Sequence, residues 1–148
     1  MSEPTATIDT DTRQGIVAMV RAFVDEQVLP NVGEFDRDDV IPDEIIEQMK
    51  SLGLLGITIP EQYGGMGLDM LTYAMIIEEL SRGWISVAGV VNTHLMGCYL
   101  LKTFGTEEQK DALLPKMATG EMRGAFSLSE PALGSDVQSI RATATRQD

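Results

Sequence analysis

The sequence predicts a mainly α-helical protein, in which a bundle of about five helices is followed by two short β-strands. Apolar residues recur at helical spacing along most of the chain up to Gly120. Beyond Gly120 the pattern changes to an alternation of polar and apolar residues, which is typical of strands. The chain has 148 residues, of which 43% are hydrophobic, so it is long enough to bury a core.

The first predicted helix runs from Thr12 to Pro30, where proline ends it. Its apolar residues fall at helical spacing: Ile16, Val20, Phe23, Val24 and Val28. Roughly the first ten residues are polar and are expected to be irregular. The acidic segment at 31–44 is also predicted to be irregular.

Local signals mark the second and third predicted helices. Pro42 suits a first helical turn, and Gly53 suits the end of the second helix. Asp69 is predicted to cap the third helix, which ends near Gly83. The buried stripe of that helix is predicted to contain Tyr73, Ile76, Ile77, Leu80 and Trp84.

The fourth predicted helix, about Ser86 to Phe104, is apolar on most of its sides. Such a helix is expected to be central and surrounded by its neighbours. Thr106 is predicted to start the fifth helix, which contains Pro115 at a position where proline bends helices.

The two predicted strands cover 125–129 and 140–145, and the turn SEPALGSD joins them. A two-stranded ribbon is marginally stable in water and exposes its edges. The strands therefore indicate either a partner or a continuation of the sheet.

Composition disfavours several functions and locations. The net charge of −12 disfavours nucleic-acid binding, because the chain would repel phosphates. No apolar run approaches the length of a membrane span, and no segment resembles a signal peptide. The single cysteine, Cys98, cannot form an internal disulfide, so a reducing cytoplasmic location is expected.

The segment AFSLSEPALGSD, residues 125–136, contains groups that suit a ligand. Gly134 permits close approach to the backbone, and its amide and Ser135 are possible donors to an anion. Ser127 and Ser129 lie on the face opposite Phe126, where they could bond the polar edge of a planar ligand. Gly-Ser-Asp turns are common, however, so these properties alone favour an ordinary surface turn.

SLSEPALGSD resembles the S/T-E-P-x-x-G-S-D signature of the acyl-CoA dehydrogenases. Three further stretches resemble the family in the same order: LGLLGITIPEQYGGMGLD, IIEELSRG and FGTEEQKDALLPKMATGE. On these four stretches the chain is identified as a member of the family, with a resemblance that extends from about Ala22 to Arg146.

The resemblance implies an N-terminal helical domain at 1–121, with 122–148 as the start of a truncated, β-barrel-like middle domain. A C-terminal four-helix bundle would follow, and FAD would bind between the middle domain and that bundle. The ligand-holding turn would then belong to a domain of which this chain carries only the beginning.

The resemblance also implies roles for residues of the turn. The implied cofactor-binding residues are Phe126, Leu128, Ser129, Gly134 and Ser135. The first three would lie against the flavin, and the last two near the FAD pyrophosphate. Ser135 would also approach the pantetheine arm of the substrate. Two positions depart from the family pattern, because Ser129 stands where threonine is commoner and Leu133 is bulkier than usual.

The implied reaction is α,β-dehydrogenation of an acyl-CoA thioester, with the flavin as hydride acceptor and an electron-acceptor flavoprotein as partner. The complete enzyme would be a homo-oligomer. The glutamate that removes the α-proton would lie beyond residue 148, so this chain is expected to contain no catalytic residue and to be inactive alone.

The alternative from another class is a non-catalytic helical module that binds a partner subunit or an acyl group. Such a module should finish with a closed sheet or a capped helix. The sequence ends TATRQD within a predicted strand, which favours the first hypothesis.

Four other features have mainly structural interpretations. His94 lacks a second metal-ligating histidine and is predicted to pack in the core or at a pocket edge, and no metal site is expected. Cys98 is interpreted as core. The surrounding stretch 91–96 is interpreted as core, with a border of the family's acyl-chain pocket as the alternative. Glu78 and Glu79 are interpreted as a solvated helix face.

Overall fold

The computed structural model describes residues 8–146. Within that range the chain forms six α-helices and no β-strand. The helices are α1 (Thr10–Phe23), α2 (Val32–Asp38), α3 (Asp43–Ser51), α4 (Met70–Gly83), α5 (Ile85–Phe104) and α6 (Glu107–Thr119). The mainly helical fold class is confirmed; the irregular start predicted for the first ten residues lies largely outside the described range.

The first predicted helix is confirmed, and it continues beyond α1 as a π-helical turn at Val24–Val28. The amide of Leu29 donates to the carbonyl of Val24 at 2.9 Å, five residues back. Val24 and Val28 are fully buried. A Cβ added at Gly83 of α4 would lie 2.6 Å from Cγ1 of Val24, so glycine allows α4 to close against this turn.

The prediction of an irregular segment at 31–44 is wrong for its first half, which forms α2. The ring of Phe35 packs on Trp84 with centroids 6.0 Å apart. The indole N–H of Trp84 donates to Asp36 at 3.1 Å. These contacts join residues far apart in sequence, so the short helix is stabilised by tertiary packing that local propensity does not reveal.

The predicted cap at Asp69 and the predicted start of the last helix at Thr106 are both confirmed. The carboxylate of Asp69 accepts the amide of Thr72 at 2.8 Å at the start of α4. Thr106 and Gln109 form a reciprocal capping box at the start of α6. Both caps depend on residues within one helical turn, which explains why they could be read from sequence.

Glu79 is not part of a solvated face, so that interpretation is wrong for it and correct only for exposed Glu78. Glu79 lies buried between α1 and α4, where it accepts hydrogen bonds from Arg21 and from Arg82, the latter at 2.9 Å. The hydrogen bond from Arg21 lowers the pKa of Glu79. Glu79 therefore joins the two helices through ion pairs.

Helix α5 is central on one face only. Its buried residues are Val87, Ala88, Val91, His94, Leu95 and Cys98. The opposite face leaves Tyr99 59% and Phe104 75% exposed. The prediction that α5 is surrounded on all sides is therefore wrong within the described residues, since no described element covers that face. Among these residues, no helix is both long enough and apolar enough to cross a bilayer.

Neither predicted strand forms in residues 125–146. The only pairing in the described part of this region is a single bridge between Glu130 and Leu133. The carboxylate of Glu130 accepts the amides of Arg141, at 3.2 Å, and Ala142, at 2.8 Å. These extended segments lack neighbouring strands, and side-chain oxygens replace the carbonyls that a sheet would supply.

We expect the Asp69→Asn variant to flatten the acid dependence of stability. The hydrogen bond from the amide of Thr72 is the largest cause that lowers the pKa of Asp69 from 3.8 to about 2. Stability from this ionised group is fully present above pH 3.8 and is lost as pH falls through about 2. Asparagine keeps the cap but removes the charge that pairs with Arg13.

The measurement is the free energy of unfolding in urea at pH values from about 5 to 2, for the wild type and for Asp69→Asn. The difference between the two curves should shrink as the pH falls. Parallel curves would show that Asp69 does not carry this dependence.

Candidate functional site

The candidate site is the stretch at 125–136, here called the site segment. It follows α6, which ends at Gly120 in the left-handed conformation, with a φ of 76°. The amide of Met122 then donates to the carbonyl of Lys116 at 3.0 Å. These local bonds turn the chain away from α6 and towards α5.

The chain after α6 crosses α5 at a point where glycines of the two segments, Gly124 and Gly97, face each other. A Cβ added at Gly97 would lie 3.9 Å from the Cα of Gly124. A Cβ added at Gly124 would lie 2.9 Å from the terminal methyl of Met117. Gly124 therefore lies close to α5 and α6, one residue before the site segment begins.

His94 contacts this crossing point from α5. The amide of Gly124 donates to Nδ1 of His94 at 3.0 Å. The other ring nitrogen, Nε2, lies 3.1 Å from the carbonyl oxygens of both Leu55 and Met117. His94 is only 1% exposed, and burial lowers its pKa. The prediction of a packed histidine is confirmed.

Cys98 lies one turn further along α5, with Sγ 3.4 Å from Nε2 of His94. Burial raises the pKa of the Cys98 thiol to about 12, so the thiol stays protonated and unreactive at neutral pH. The interpretation of Cys98 as core is confirmed.

The first part of the site segment is extended and open to solvent. Phe126 is 38% exposed and Leu128 is 40% exposed. Ser127 and Ser129 are also exposed. The structure therefore brings three predicted cofactor residues, Phe126, Leu128 and Ser129, onto one accessible stretch.

The second part of the site segment is a closed turn. The amides and carbonyls of Glu130 and Leu133 bond each other reciprocally at 3.0 Å. The turn leads to Gly134 and Ser135, which are both exposed. A Cβ added at Gly134 would meet no atom within 4 Å, so space adjoins the backbone at this position.

These residues fit a flavin nucleotide as one side of a site. Apolar side chains and hydroxyl groups alternate along 126–129, which suits a planar ring with a polar edge. Open space beside Gly134, with the adjoining hydroxyl of Ser135, suits a phosphate group. Within residues 8–146, no group of three metal-ligating side chains is placed to hold an ion.

Two residues that organise the segment were not assigned by sequence reasoning. Glu130 holds the amides of Arg141 and Ala142, and His94 holds the amide of Gly124. The motif contains Glu130, but nothing local shows which amides its carboxylate accepts. His94 is separated from Gly124 by 30 positions, so no local pattern indicates their contact.

The helical part of the chain matches a known protein family. The family model described as the N-terminal domain of acyl-CoA dehydrogenases matches residues 10–121. The chain therefore belongs to the acyl-CoA dehydrogenase family, as its sequence motifs predict.

Individual relatives agree with this assignment. The chain is 39% identical to an acyl-CoA dehydrogenase of Bacillus subtilis over 131 residues, which are 88% of this chain and 35% of that protein. The chain thus spans about a third of the length of this relative.

Solved structures share the fold. The chain matches butyryl-CoA dehydrogenase of Megasphaera elsdenii with a TM-score of 0.86 and 32% identity, over 97% of this chain and 38% of that one. It matches a glutaryl-CoA dehydrogenase of Mycobacterium smegmatis, solved in complex with FADH2, with a TM-score of 0.80 and 32% identity. That match covers 90% of this chain and 34% of the other.

Proposed function

We propose that this chain is the N-terminal part of an FAD-dependent acyl-CoA dehydrogenase that catalyses α,β-dehydrogenation of an acyl-CoA thioester. Residues 1–121 are the helical domain in this proposal, and 122–148 are the start of the middle domain. The observation that carries the proposal is the accessible site segment, in which apolar residues and hydroxyl groups alternate next to an open glycine. Family membership supports it.

In this proposal the site segment supplies one side of the FAD site. Phe126 and Leu128 contact the flavin ring, and Ser129 bonds its polar edge. Gly134 and Ser135 lie beside the pyrophosphate, where open backbone and a hydroxyl donor favour an anion. Bound FAD supplies the two-electron redox chemistry that protein side chains lack.

The hydroxyl of Ser135 also contacts the pantetheine arm of the acyl-CoA in this proposal. The α-proton is removed by a glutamate from outside this chain, so the chain holds no catalytic residue and is inactive alone. An electron-acceptor flavoprotein reoxidises the cofactor. The complete enzyme is a cytoplasmic homo-oligomer.

The test is a titration of the purified chain with FAD, read by quenching of flavin fluorescence. We expect saturable quenching in the wild type. The Phe126→Ala variant should bind about tenfold more weakly, a loss of about 1.4 kcal/mol, because it removes the aromatic contact with the ring.

The matched control is Phe104→Ala, which removes an aromatic ring that is 75% exposed on α5. It should leave the affinity for FAD unchanged. Absence of saturable quenching in the wild type would contradict flavin binding by this chain. Equal weakening by both variants would place any bound flavin away from the site segment.

A second candidate function is a non-catalytic module for binding or assembly. The exposed apolar face of α5, which includes Tyr99 and Phe104, favours this candidate, because such faces mark interaction surfaces. Sedimentation velocity over a range of concentrations separates the two functions. Self-association without flavin binding would favour the module.

A further inference from the structure

His94 lies where three separate parts of the chain meet α5. It contacts Leu55 in the connector after α3, Met117 in α6 and Gly124 in the approach to the site segment. No buried side-chain nitrogen or oxygen in the described residues lacks a hydrogen-bond partner. His94 is thus a fully bonded polar group within an apolar core.

The contacts determine which ring nitrogen carries the proton. The carbonyl oxygens of Leu55 and Met117 accept only, so Nε2 must carry the hydrogen that they share. The amide of Gly124 donates only, so Nδ1 must be unprotonated. One neutral tautomer, with hydrogen on Nε2, satisfies these three contacts at once, and Sγ of Cys98, 3.4 Å from Nε2, can then act towards that nitrogen only as an acceptor.

We propose that His94 is a positioning residue, whose unprotonated Nδ1 holds the amide of Gly124 and so fixes the start of the site segment against the helical domain. Gly124 precedes Phe126 by two residues, so fixing this amide restricts the position of the Phe126 backbone, from which the aromatic side chain extends. The consequence for cofactor binding rests on the proposed function, but the anchor itself does not.

The neighbouring glycines support this role. Gly97 and Gly124 approach each other closely, and a side chain at Gly124 would meet the methyl of Met117 at 2.9 Å. At this crossing the amide of Gly124 lies 3.0 Å from Nδ1 of His94. Beyond Gly124, residues 125–129 are exposed, so this amide is the last firm attachment before the open stretch.

Two substitutions separate the two functions of the ring. In His94→Asn the side-chain oxygen takes the approximate place of Nδ1, so it keeps an acceptor for Gly124 and loses the donor to the carbonyls. In His94→Gln the amide reaches the approximate place of Nε2, so it keeps the donor and loses the acceptor. Both variants place a neutral polar side chain in the same site.

The decisive measurement is hydrogen exchange of the Gly124 amide by NMR in the 148-residue chain. The amide of Leu95, buried on α5, is the internal reference for opening of the core. Relative to Leu95, exchange at Gly124 should be roughly five- to tenfold faster in His94→Gln, as loss of one hydrogen bond predicts. It should stay close to the wild-type rate in His94→Asn.

Equal exchange at Gly124 in the wild type and His94→Gln, after this normalisation, would overturn the proposal. Accelerated exchange in His94→Asn that matches His94→Gln would also overturn it. If a variant fails to fold, the ¹⁵N chemical shifts of His94 in the wild type decide the question. A protonated Nδ1 would overturn the anchor, and a protonated Nε2 with an unprotonated Nδ1 would support it.

Flavin titration of the same variants tests the link to the proposed function. His94→Gln should bind FAD more weakly than the wild type, and His94→Asn should bind it with an affinity close to that of the wild type. A wild-type chain that binds no FAD would contradict flavin binding by this chain alone, while exchange at Gly124 would still test the anchor separately.

Discussion

The Gly65→Ala variant is expected to lose at least about 3 kcal/mol of unfolding free energy, at the upper end of the usual cost of overpacking. A Cβ at this position would lie 2.1 Å from the carbonyl oxygen of Ile59 and 2.6 Å from its Cβ. The same carbonyl accepts the amide of Gly67 at 2.9 Å, so it cannot move away without breaking that bond. The new methyl group would therefore displace backbone.

Gly64 is the matched control, because it lies next to Gly65 but would lose stability through backbone conformation and not through a steric clash. It has a φ of 79° and no atom within 4 Å of an added Cβ. Gly64→Ala should cost only about 1–2 kcal/mol, the penalty of a left-handed conformation. Urea unfolding of both variants gives the comparison. A Gly65→Ala variant no less stable than Gly64→Ala would contradict the steric argument.

The Leu80→Ala variant is expected to lose about 2–5 kcal/mol, because it leaves a cavity in the core. Leu80 is fully buried on α4, in the same core cluster as Val20 and Val24 of the first helix. The midpoint of thermal unfolding should fall by about 3 °C for each kcal/mol, for a domain of this size. Calorimetry or circular dichroism measures that shift.

Leu71→Ala on the same helix is the matched control. Leu71 is 58% exposed, so the same substitution should change stability by no more than about 0.5 kcal/mol. Similar losses for both leucines would mean that the helix, and not burial of Leu80, determines the effect.

Features that depend on neighbours in sequence could be predicted. Asp69 and Thr106 cap helices through bonds that span three residues. The stripe of α4 that contains Ile76 and Leu80 is buried as its spacing predicts. The motifs also identified the family, because four ordered stretches together are more specific than any one of them.

Features that depend on distant partners could not be predicted. The local sequence around Glu79 is typical of a solvated helix face. The residue that pairs with it, Arg21, lies 58 positions earlier in the chain. Helix α2 forms where Phe35 and Asp36 meet Trp84, 48 positions after Asp36. Neither arrangement leaves a local pattern in the sequence.

The alternation in the last part of the chain predicted strands, but a strand also requires neighbours that receive its hydrogen bonds. Residues 125–129 have none among the described residues and are exposed. The motif drew attention to this segment. The assigned roles of Phe126 and Ser135 remain predictions, since they depend on contacts with a ligand.

Glu130 has a consequence for any ligand of the site segment. By accepting the amides of Arg141 and Ala142, its carboxylate joins the two ends of the intervening loop. Closing a loop restricts the conformations available to the residues within it. Part of the conformational entropy that binding would otherwise remove is therefore already lost in the free protein. Gly134 and Ser135 thus belong to a preorganised loop, a property that favours affinity without adding a contact.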